Sequence, residues 1–391
     1  MPTFNLEKIN KLKKIDRLFR SVYLRPKNNK AYPPIDKNEV KEIIVIAFFL
    51  IGDTIMYQPA IKVLKRNFPN ARFTMVCEKA TEIVLKHQGL VDDFVIVNCP
   101  WIVATDYSAK NVKAFFSSIR VINRKTYDVA IDFRGDWRNI FFMNRIKAKR
   151  KIDYNFSGGE YMLTDPIAGD PSIVHFTEEA FYLLEQIGCY FTEDDKRPVL
   201  TLSADDKVII NQFKADNNLN GKFLIGVHPG TSQEVKRWDE KKYAELLVRL
   251  TNAYDNCAVV IYEGPNERAT VAAIEAGLAA HAIDHVVVNK TLAEYIRLLG
   301  ISELMICNDS GAAHIAGAYG IPIVVIFGNV DPKYVTPYGP KIKKIISHSM
   351  ECKPCYQSFC KFGNNLCIAG VGVDEVYGPV VEIMDIIKPN K

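Results

Sequence analysis

Asn308-Asp309-Ser310-Gly311 joins two short apolar runs through a helix of small residues, and its residue types suit chemistry on a charged ligand. Leu304-Met305-Ile306-Cys307 reads as a buried strand, Ala312 to Tyr319 as a short helix, and Ile323 to Phe327 as a second buried strand. The spacing predicts one βαβ unit, with Asp309 or Ser310 capping its helix. A helix that begins where a strand ends directs unpaired backbone N–H groups and a positive dipole end outward, and these bind phosphate. Gly311, Ala312 and Ala313 keep that entrance free of bulk, and the Asp309 carboxylate could hold sugar hydroxyls. A plain capped helix in any α/β domain would show the same pattern.

Three other loops follow predicted strands and carry polar residues. Glu42 to Phe49 is a strand closed by Gly52-Asp53-Thr54, with a helix to Phe68 behind it. Lys222 to His228 is a strand followed by the loop Pro229 to Lys236 and a helix from Asp239 to Ala253. Cys257 to Tyr262 leads into Glu263-Gly264-Pro265-Asn266 and a helix to Ala280. Further strands are expected at Arg72–Cys77, Phe94–Val97, Tyr127–Asp132 and Val286–Val288. Further helices are expected at Thr81–His87, Ala109–Asn123, Thr177–Ile187, Leu292–Leu299 and Asp374–Ile387. Two alternating runs of this kind predict an α/β chain with two parallel sheets and ligands at the strand C-termini. The expected divisions are a basic arm over 1–40, a first Rossmann-like domain over 41–200, a second over 201–372 and a closing helix over 373–391. Neither half has the Gly-x-Gly-x-x-Gly turn of a nicotinamide or flavin enzyme, nor a Walker-type Gly-Lys-Ser/Thr loop.

The chain of 391 residues is long enough for two ordinary domains, and 48% hydrophobic with 24% charged residues is a globular composition. The nine-residue run Ile43 to Ile51 is too short to cross a bilayer, and no export signal is evident, so a cytosolic protein is expected. The net charge of +5 is concentrated: residues 1–30 hold nine Lys or Arg against Glu7 and Asp16, which is +7, leaving −2 elsewhere. Leu6, Ile9, Leu12, Ile15, Leu18, Phe19 and Val22 recur at helical spacing among Lys8, Lys11, Lys14 and Arg17. Such a basic amphipathic helix either lies on an anionic membrane surface or docks on protein. No basic patch with interleaved aromatics continues into the body, which argues against nucleic acid.

As a set, these loops resemble glycosyltransferase family 9, the ADP-heptose:lipopolysaccharide heptosyltransferases. The resemblance runs from about Ile43 to about Cys367. It is carried by Gly52-Asp53 with Pro59-Ala60, Tyr127-Asp128-x-x-Ile131-Asp132, His228-Pro229-Gly230, Lys236-Arg237-Trp238 and Asp309-Ser310-Gly311-x-x-His314. It implies two Rossmann-like domains facing across a cleft (the GT-B architecture), the second holding a nucleotide sugar. It also implies Asp53 as catalytic base and Thr231, Ser232 and Lys236 as phosphate-loop residues, with Lys236 assisting catalysis. Glu267 would hold the ribose and Asn289-Lys290-Thr291-Leu292 the adenine. Asp309 would hold the sugar, the Ser310 and Gly311 amides the diphosphate, with His314 beside them. Gly52, Asp132 and Arg134 would face the acceptor. The implied reaction is inverting transfer of heptose, or a related sugar, from an ADP-linked donor to a lipopolysaccharide-core or other surface-glycan acceptor.

Such a transfer needs a base for the acceptor hydroxyl and positive charge for the departing diphosphate. A Lys and a helix N-terminus supply that charge without a metal. No Asp-x-Asp motif accompanies the donor loops, and Asp205-Asp206 reads as part of a connector. Each residue also has a structural reading: Asp53 as a helix cap, Lys236 as a surface lysine, Trp238 as packing, His314 as a core histidine, Asp132 as a strand-end cap. Other GT-B transferases, nucleotide-sugar epimerases and a non-catalytic sugar-nucleotide adaptor share the pattern. The forty-residue arm departs from the family, and Asp136 to Asp170, where acceptor specificity usually lies, matches no single member. Of nine cysteines, Cys352, Cys355, Cys360 and Cys367 cluster, with Cys-x2-Cys as one usual half of a zinc site. They are either ligands of zinc or another metal or reduced structural thiols.

Overall fold

The computed structural model describes residues 6–23, 32–102, 106–339, 342–353, 355 and 359–388 and, in the first helix, the side chains of residues 9–20. Residues 1–5 and 24–31 of the expected arm, and the side chains of Leu6, Lys8 and Val22, lie outside it. The chain forms two compact units that divide between Arg197 and Pro198.

The first unit contains α1 (Leu6–Tyr23), β1 (Glu42–Ala47), α2 (Ile51–Asn67), β2 (Arg72–Cys77), α3 (Lys79–Leu85), β3 (Asp93–Ile96) and α4 (Ala109–Ile122). It continues with β4 (Tyr127–Ile131), α5 (Trp137–Asn144), β5 (Ala148–Tyr154), β6 (Asp165–Ile167) and α6 (Phe176–Gln186). Its six strands lie in the order β3-β2-β1-β4-β5-β6, every pair parallel. Strands covered on both faces read as continuous apolar runs, and Ile43 to Ala47 of β1 are almost wholly buried. Asp128 sets the register of β1 beside β4, because its Oδ2 accepts from the amides of Lys41 (2.7 Å) and Glu42 (3.0 Å).

The second unit contains α7 (Ala204–Asp216), β7 (Phe223–His228), α8 (Glu240–Ala253), β8 (Cys257–Tyr262), α9 (Arg268–Ala279), β9 (His285–Val288), α10 (Leu292–Leu299), β10 (Leu304–Asn308) and α11 (Gly311–Ala318). It closes with β11 (Ile323–Phe327), α12 (Pro332–Val335), β12 (Lys343–Ser347), α13 (Leu366–Ala369) and α14 (Val373–Ile387). The order β12-β11-β10-β7-β8-β9 repeats that of the first sheet. Trp238, Leu246, Ile326, Val376, Val380 and Ile383 share one core, so the closing helix α14 is part of this unit.

Several elements depart from expectation. The charged β5, AKRKIDY, gives no apolar run; its basic half is neutralised by Arg150–Asp165 and Lys149–Asp128, and only Ile152 to Tyr154 are buried. Short β6 and β12 are likewise weak patterns. Asp205 and Asp206 belong to the first turn of α7, where Asp206 closes a capping box on Ser203 (2.9 Å from its amide), not to a connector. Neither Asp309 nor Ser310 gives α11 a side-chain cap: Ser310 occupies the cap position with no such bond.

α1 docks on its own unit. Ile9 and Leu12 are buried, and Phe19 stacks edge-on against Trp137 and Phe141. Asp16 is buried with them and accepts from Trp137 Nε1 (2.8 Å) and the Gly159 amide (3.0 Å). Among the described residues, no helix is long and apolar enough to cross a membrane. Asp16→Ala strips two buried donors of their acceptor, at about 1–3 kcal/mol for each unsatisfied group. Urea denaturation followed by tryptophan fluorescence should show the first unit unfolding ~2 kcal/mol more easily. An unchanged midpoint would mean that the docked helix adds nothing to the fold.

Candidate functional site

In a doubly wound sheet, successive strands run outward in opposite directions from one point, and the loops leaving the strands on either side of it separate into a crevice. In the first sheet that point lies between β1 and β4, and in the second between β7 and β10. The loops at these points hold Gly52-Asp53 and Asp132 to Asp136 in one unit, and His228 to Trp238 and Asn308 to Gly311 in the other. Asp53, Asp132 and Arg134 thus stand at the switch point of the first unit and Thr231, Ser232, Lys236 and Asp309 at that of the second, whereas Glu267 follows β8 and Lys290 follows β9.

In the second unit, Lys236 Nζ donates to Asp309 Oδ2 at 2.7 Å, with the lysine side chain 19% and the aspartate 8% exposed. Asn308, wholly buried and read in the sequence only as part of its loop, fixes the segment that carries Lys236. Its Nδ2 donates to the Pro229 carbonyl (2.6 Å) and its Oδ1 accepts from the Trp238 amide (3.2 Å). Trp238 is packing: its ring is fully buried and Nε1 donates to the Val371 carbonyl (2.9 Å). Just past Asp309, α11 begins without a side-chain cap, and Ser310 Oγ is buried with no hydrogen-bond partner. The result is a cation, a carboxylate, a hydroxyl and a bare helix N-terminus at one strand end. His314 is buried on α11.

Glu267 approaches the same loop. A Cβ on Gly230 would lie 1.7 Å from Glu267 Oε1, so only glycine at 230 admits this carboxylate. Glu267 Oε2 accepts from the Gly264 amide (2.6 Å) and lies 3.9 Å from His228 Nδ1. His228 Nδ1 is also within 2.9 Å of the Tyr262 carbonyl and 3.0 Å of the Tyr295 hydroxyl. Thr231 is buried and donates to the Gln233 carbonyl in its own turn (2.7 Å), whereas Ser232 is exposed. Lys290 is exposed, and its neighbour Asn289 donates to buried Glu263 (2.8 Å).

In the first unit, Asp53 stands in the first turn of α2. Its Oδ2 accepts from Arg134 Nη1 (2.9 Å) and, at 3.4 Å, from the Leu50 amide. Both contacts fall on one oxygen, and among the described residues Oδ1 receives none. Burial opposes the charge of Arg134, but Asp53, Tyr57, Asp132 and Asp136 more than offset it and hold the guanidinium above its ordinary value. Arg134 also donates to the Phe48 carbonyl (3.2 Å), tying the β4 loop to the end of β1.

Asp132 is wholly buried and serves the architecture of that loop. Its two oxygens accept from the Phe133 amide (2.7 Å) and Asn139 Nδ2 (2.7 Å). Asp153 at the end of β5, missed in the sequence, accepts from the amides of Gly135 (2.9 Å) and Tyr154 (2.8 Å), and its Oδ2 has no partner. Burial raises both carboxyls, and the charge of Asp132 raises Asp153 further. Their joint effect is to fix the turn that presents Arg134 to Asp53.

Cys352, Cys355, Cys360 and Cys367 line one cavity of about 30 Å³ beside Val235, large enough for a single ion or water. Backbone amides, that of Phe362 foremost, hold the Cys360 thiol below its ordinary value, while burial raises that of Cys367. Among the described residues, no three His, Cys, Asp or Glu side chains are placed to hold a metal ion. The thiols are therefore gathered but do not form a finished ligand set.

The sequence profile of glycosyltransferase family 9 (heptosyltransferase) matches residues 115–366. The lipooligosaccharide heptosyltransferase 2 of Campylobacter jejuni is 23% identical over 337 residues, covering 83% of this chain and 93% of that protein. The family 9 glycosyl transferase of Veillonella parvula superposes with a TM-score of 0.72 at 19% identity, covering 90% of this chain and 98% of that one. The E. coli ADP-heptose lipopolysaccharide heptosyltransferase II gives 0.69 at 19% identity, over 88% and 98%. The two six-stranded parallel sheets have the GT-B fold of these structures. With its profile spanning most of the chain and its motifs gathered at the two switch points, this protein is a glycosyltransferase and belongs to family 9.

Proposed function

We propose that the protein transfers a heptose, or a related sugar, from an ADP-linked donor to a lipopolysaccharide-core or other surface-glycan acceptor. The names of its relatives support the substrate class. The observation that carries the reading is the end of β10, where Lys236 and Asp309 meet beside an uncapped helix N-terminus. Lys236 and the first amides of α11 would receive the diphosphate, Asp309 the sugar hydroxyls and Glu267 the ribose, with Thr231, Ser232, Lys290 and His314 around the nucleotide. Asp53 Oδ1 takes the proton of the acceptor hydroxyl, that oxygen bonds to the anomeric carbon, and the bond to ADP breaks with its electron pair leaving on the diphosphate. Attack opposite the leaving group inverts the anomeric centre. The positive charge on the leaving diphosphate comes from Lys236 and the helix, so this course draws on no metal. The four clustered cysteines, with or without zinc among them, brace the segment next to Val235 and take no part in the transfer.

The outward face of α1 carries exposed Lys11, Lys14 and Arg17, with Ile15 42% and Leu18 69% exposed. We read this face as a contact for the cytoplasmic membrane surface, where a lipid-linked acceptor is presented. Each basic residue contributes about 1 kcal/mol at an anionic surface, less as salt rises. Co-sedimentation with anionic vesicles at low salt, lost at high salt and in a Lys11→Glu/Lys14→Glu/Arg17→Glu variant, is the expected result. Equal sedimentation of variant and parent would leave α1 with its packing role alone.

Asp53→Asn keeps a carbonyl oxygen for Arg134 and the Leu50 amide but cannot take a proton. Turnover of ADP-heptose should fall to background while ADP binding, followed by thermal shift beside UDP, GDP and CDP, stays within a few-fold. Normal transfer by this variant would remove Asp53 from the reaction.

Removing Lys236 deletes one charge-assisted contact and leaves Asp309 unpaired against the diphosphate. Lys236→Ala should weaken ADP binding by at least the ~1.5–3 kcal/mol of such a contact. Asp309→Ala frees the lysine, so ADP should bind as well as before or tighter, while ADP-sugar binds worse. Equal losses for ADP and ADP-sugar in Asp309→Ala would contradict its role at the sugar.

A further inference from the structure

A lysine serves a diphosphate well only if its backbone is already in place, because a long side chain on a wandering loop loses in ordering entropy part of what its charge gains. Lys236 closes a single tight turn, Glu234–Lys236, and the bonds inside that stretch are all local. The Lys236 amide donates to the Gln233 carbonyl (3.0 Å), the Arg237 amide to the Glu234 carbonyl (2.9 Å) and the Thr231 hydroxyl to the Gln233 carbonyl (2.7 Å). Bonds of this kind give the turn a shape. They do not say where it stands in the unit.

Its position is set from two neighbouring strands. On the β10 side, Asn308 holds the loop at both ends through the Pro229 carbonyl and the Trp238 amide. On the β11 side, the middle of the loop rests on Gly328, the first residue after that strand. A Cβ at 328 would lie 2.9 Å from the Val235 carbonyl oxygen and 3.4 Å from Lys236 Cα, so backbone meets backbone there. The contact has no slack elsewhere: Ile368 Cβ of α13, fully buried in the core of this unit, would stand 3.4 Å from the same methyl group. A methyl at 328 therefore has to displace the Lys236 turn or the core behind it.

The end of β11 also fixes the other half of the ion pair. The Asp309 amide donates to the Ile326 carbonyl (3.1 Å), two residues before Gly328. One strand end thus holds the backbones of both Asp309 and Lys236, and with them the spacing at which Nζ meets Oδ2. A sheet that needed only covering would take an apolar residue at 308 and tolerate alanine at 328. The buried amide and the missing Cβ are what the placement of Lys236 requires.

We propose that Gly328 and Asn308 are positioning residues for the donor: they touch no phosphate but set the backbone of Lys236, and through it the affinity for the diphosphate. This rests on the reading of Lys236 as a diphosphate ligand. The test is a double-mutant cycle with the full chain, titrating ADP and, by competition, adenosine, which lacks the diphosphate. Gly328→Ala and Asn308→Ser should each weaken ADP binding by at least about fivefold and leave adenosine within about twofold. In a Lys236→Ala background, neither change should cost ADP anything further, since the group being positioned is gone. Asn308→Ser adds no bulk, so it decides the question even if Gly328→Ala fails to fold. Parental ADP affinity in both variants, equal losses for ADP and adenosine, or losses that multiply with that of Lys236→Ala would each overturn the positioning role. Undiminished ADP binding in Lys236→Ala alone would instead remove the lysine from the donor site and take the donor reading with it.

Discussion

A parallel strand covered on both faces can offer polar groups only where it ends, and the rest of this molecule follows from that constraint. The interiors of β1, β4, β7 and β10 are apolar and closed. All usable chemistry is therefore pushed to the carboxyl ends, and strand order decides which ends have room around them. In both sheets the order of the parallel strands reverses at one point, and the loops there carry Asp53, Arg134, Lys236 and Asp309. The same architecture places a carboxylate paired with a cation at each point, Asp53 with Arg134 (2.9 Å) and Asp309 with Lys236 (2.7 Å).

These pairs are held by buried polar residues around them. Buried polar groups are satisfied or costly, so each one fixes its neighbours in place. Asn308 clamps both ends of the loop that carries Lys236, and Asp132 with Asp153 pins the turn that carries Arg134. Asp128 does comparable work at the opposite edge, where it fastens β1 to β4. Motif positions such as Asp128, Asp132 and Trp238 thus each have an architectural role.

The parts legible in the sequence are those whose signal is local. Leu304 to Cys307 and Ile323 to Phe327 read as strands because full burial needs nothing but apolar side chains, and the polar loops stand out between them. β5 was hidden because the charges of Arg150 and Lys149 are neutralised by Asp165 and Asp128, residues 15 and 21 positions away. Asn308 reaches 79 residues to Pro229, and Lys236 reaches 73 to Asp309. No periodicity encodes such pairs. The capping of α11 failed for a related reason: Ser310 has the composition of a cap, but its backbone leaves Oγ buried and unbonded. The placement of α1 was open in the sequence, since one amphipathic pattern serves a membrane or a protein; Asp16 on Trp137 and Gly159 shows that it docks on protein.

The Lys236–Asp309 pair has the properties of a placeholder. Two ions withdrawn from water recover only part of their hydration through one contact, so such a pair adds little net stability, while losing one partner is expensive. Lys236 keeps 19% of its side chain in solvent, and Asp309 keeps an oxygen that accepts from no described residue. Without a donor, the pair neutralises a carboxylate that would otherwise stand unpaired at the strand end. On the proposed function, the lysine would turn to the donor's diphosphate while sugar hydroxyls replaced it on Asp309, and neither charge would pass through an unpaired state. Once the sugar had left, ADP would offer nothing to Asp309, and the carboxylate would again compete with the diphosphate for Lys236. On this reading the pair favours ADP-sugar over ADP, a bias that works in the direction of product release.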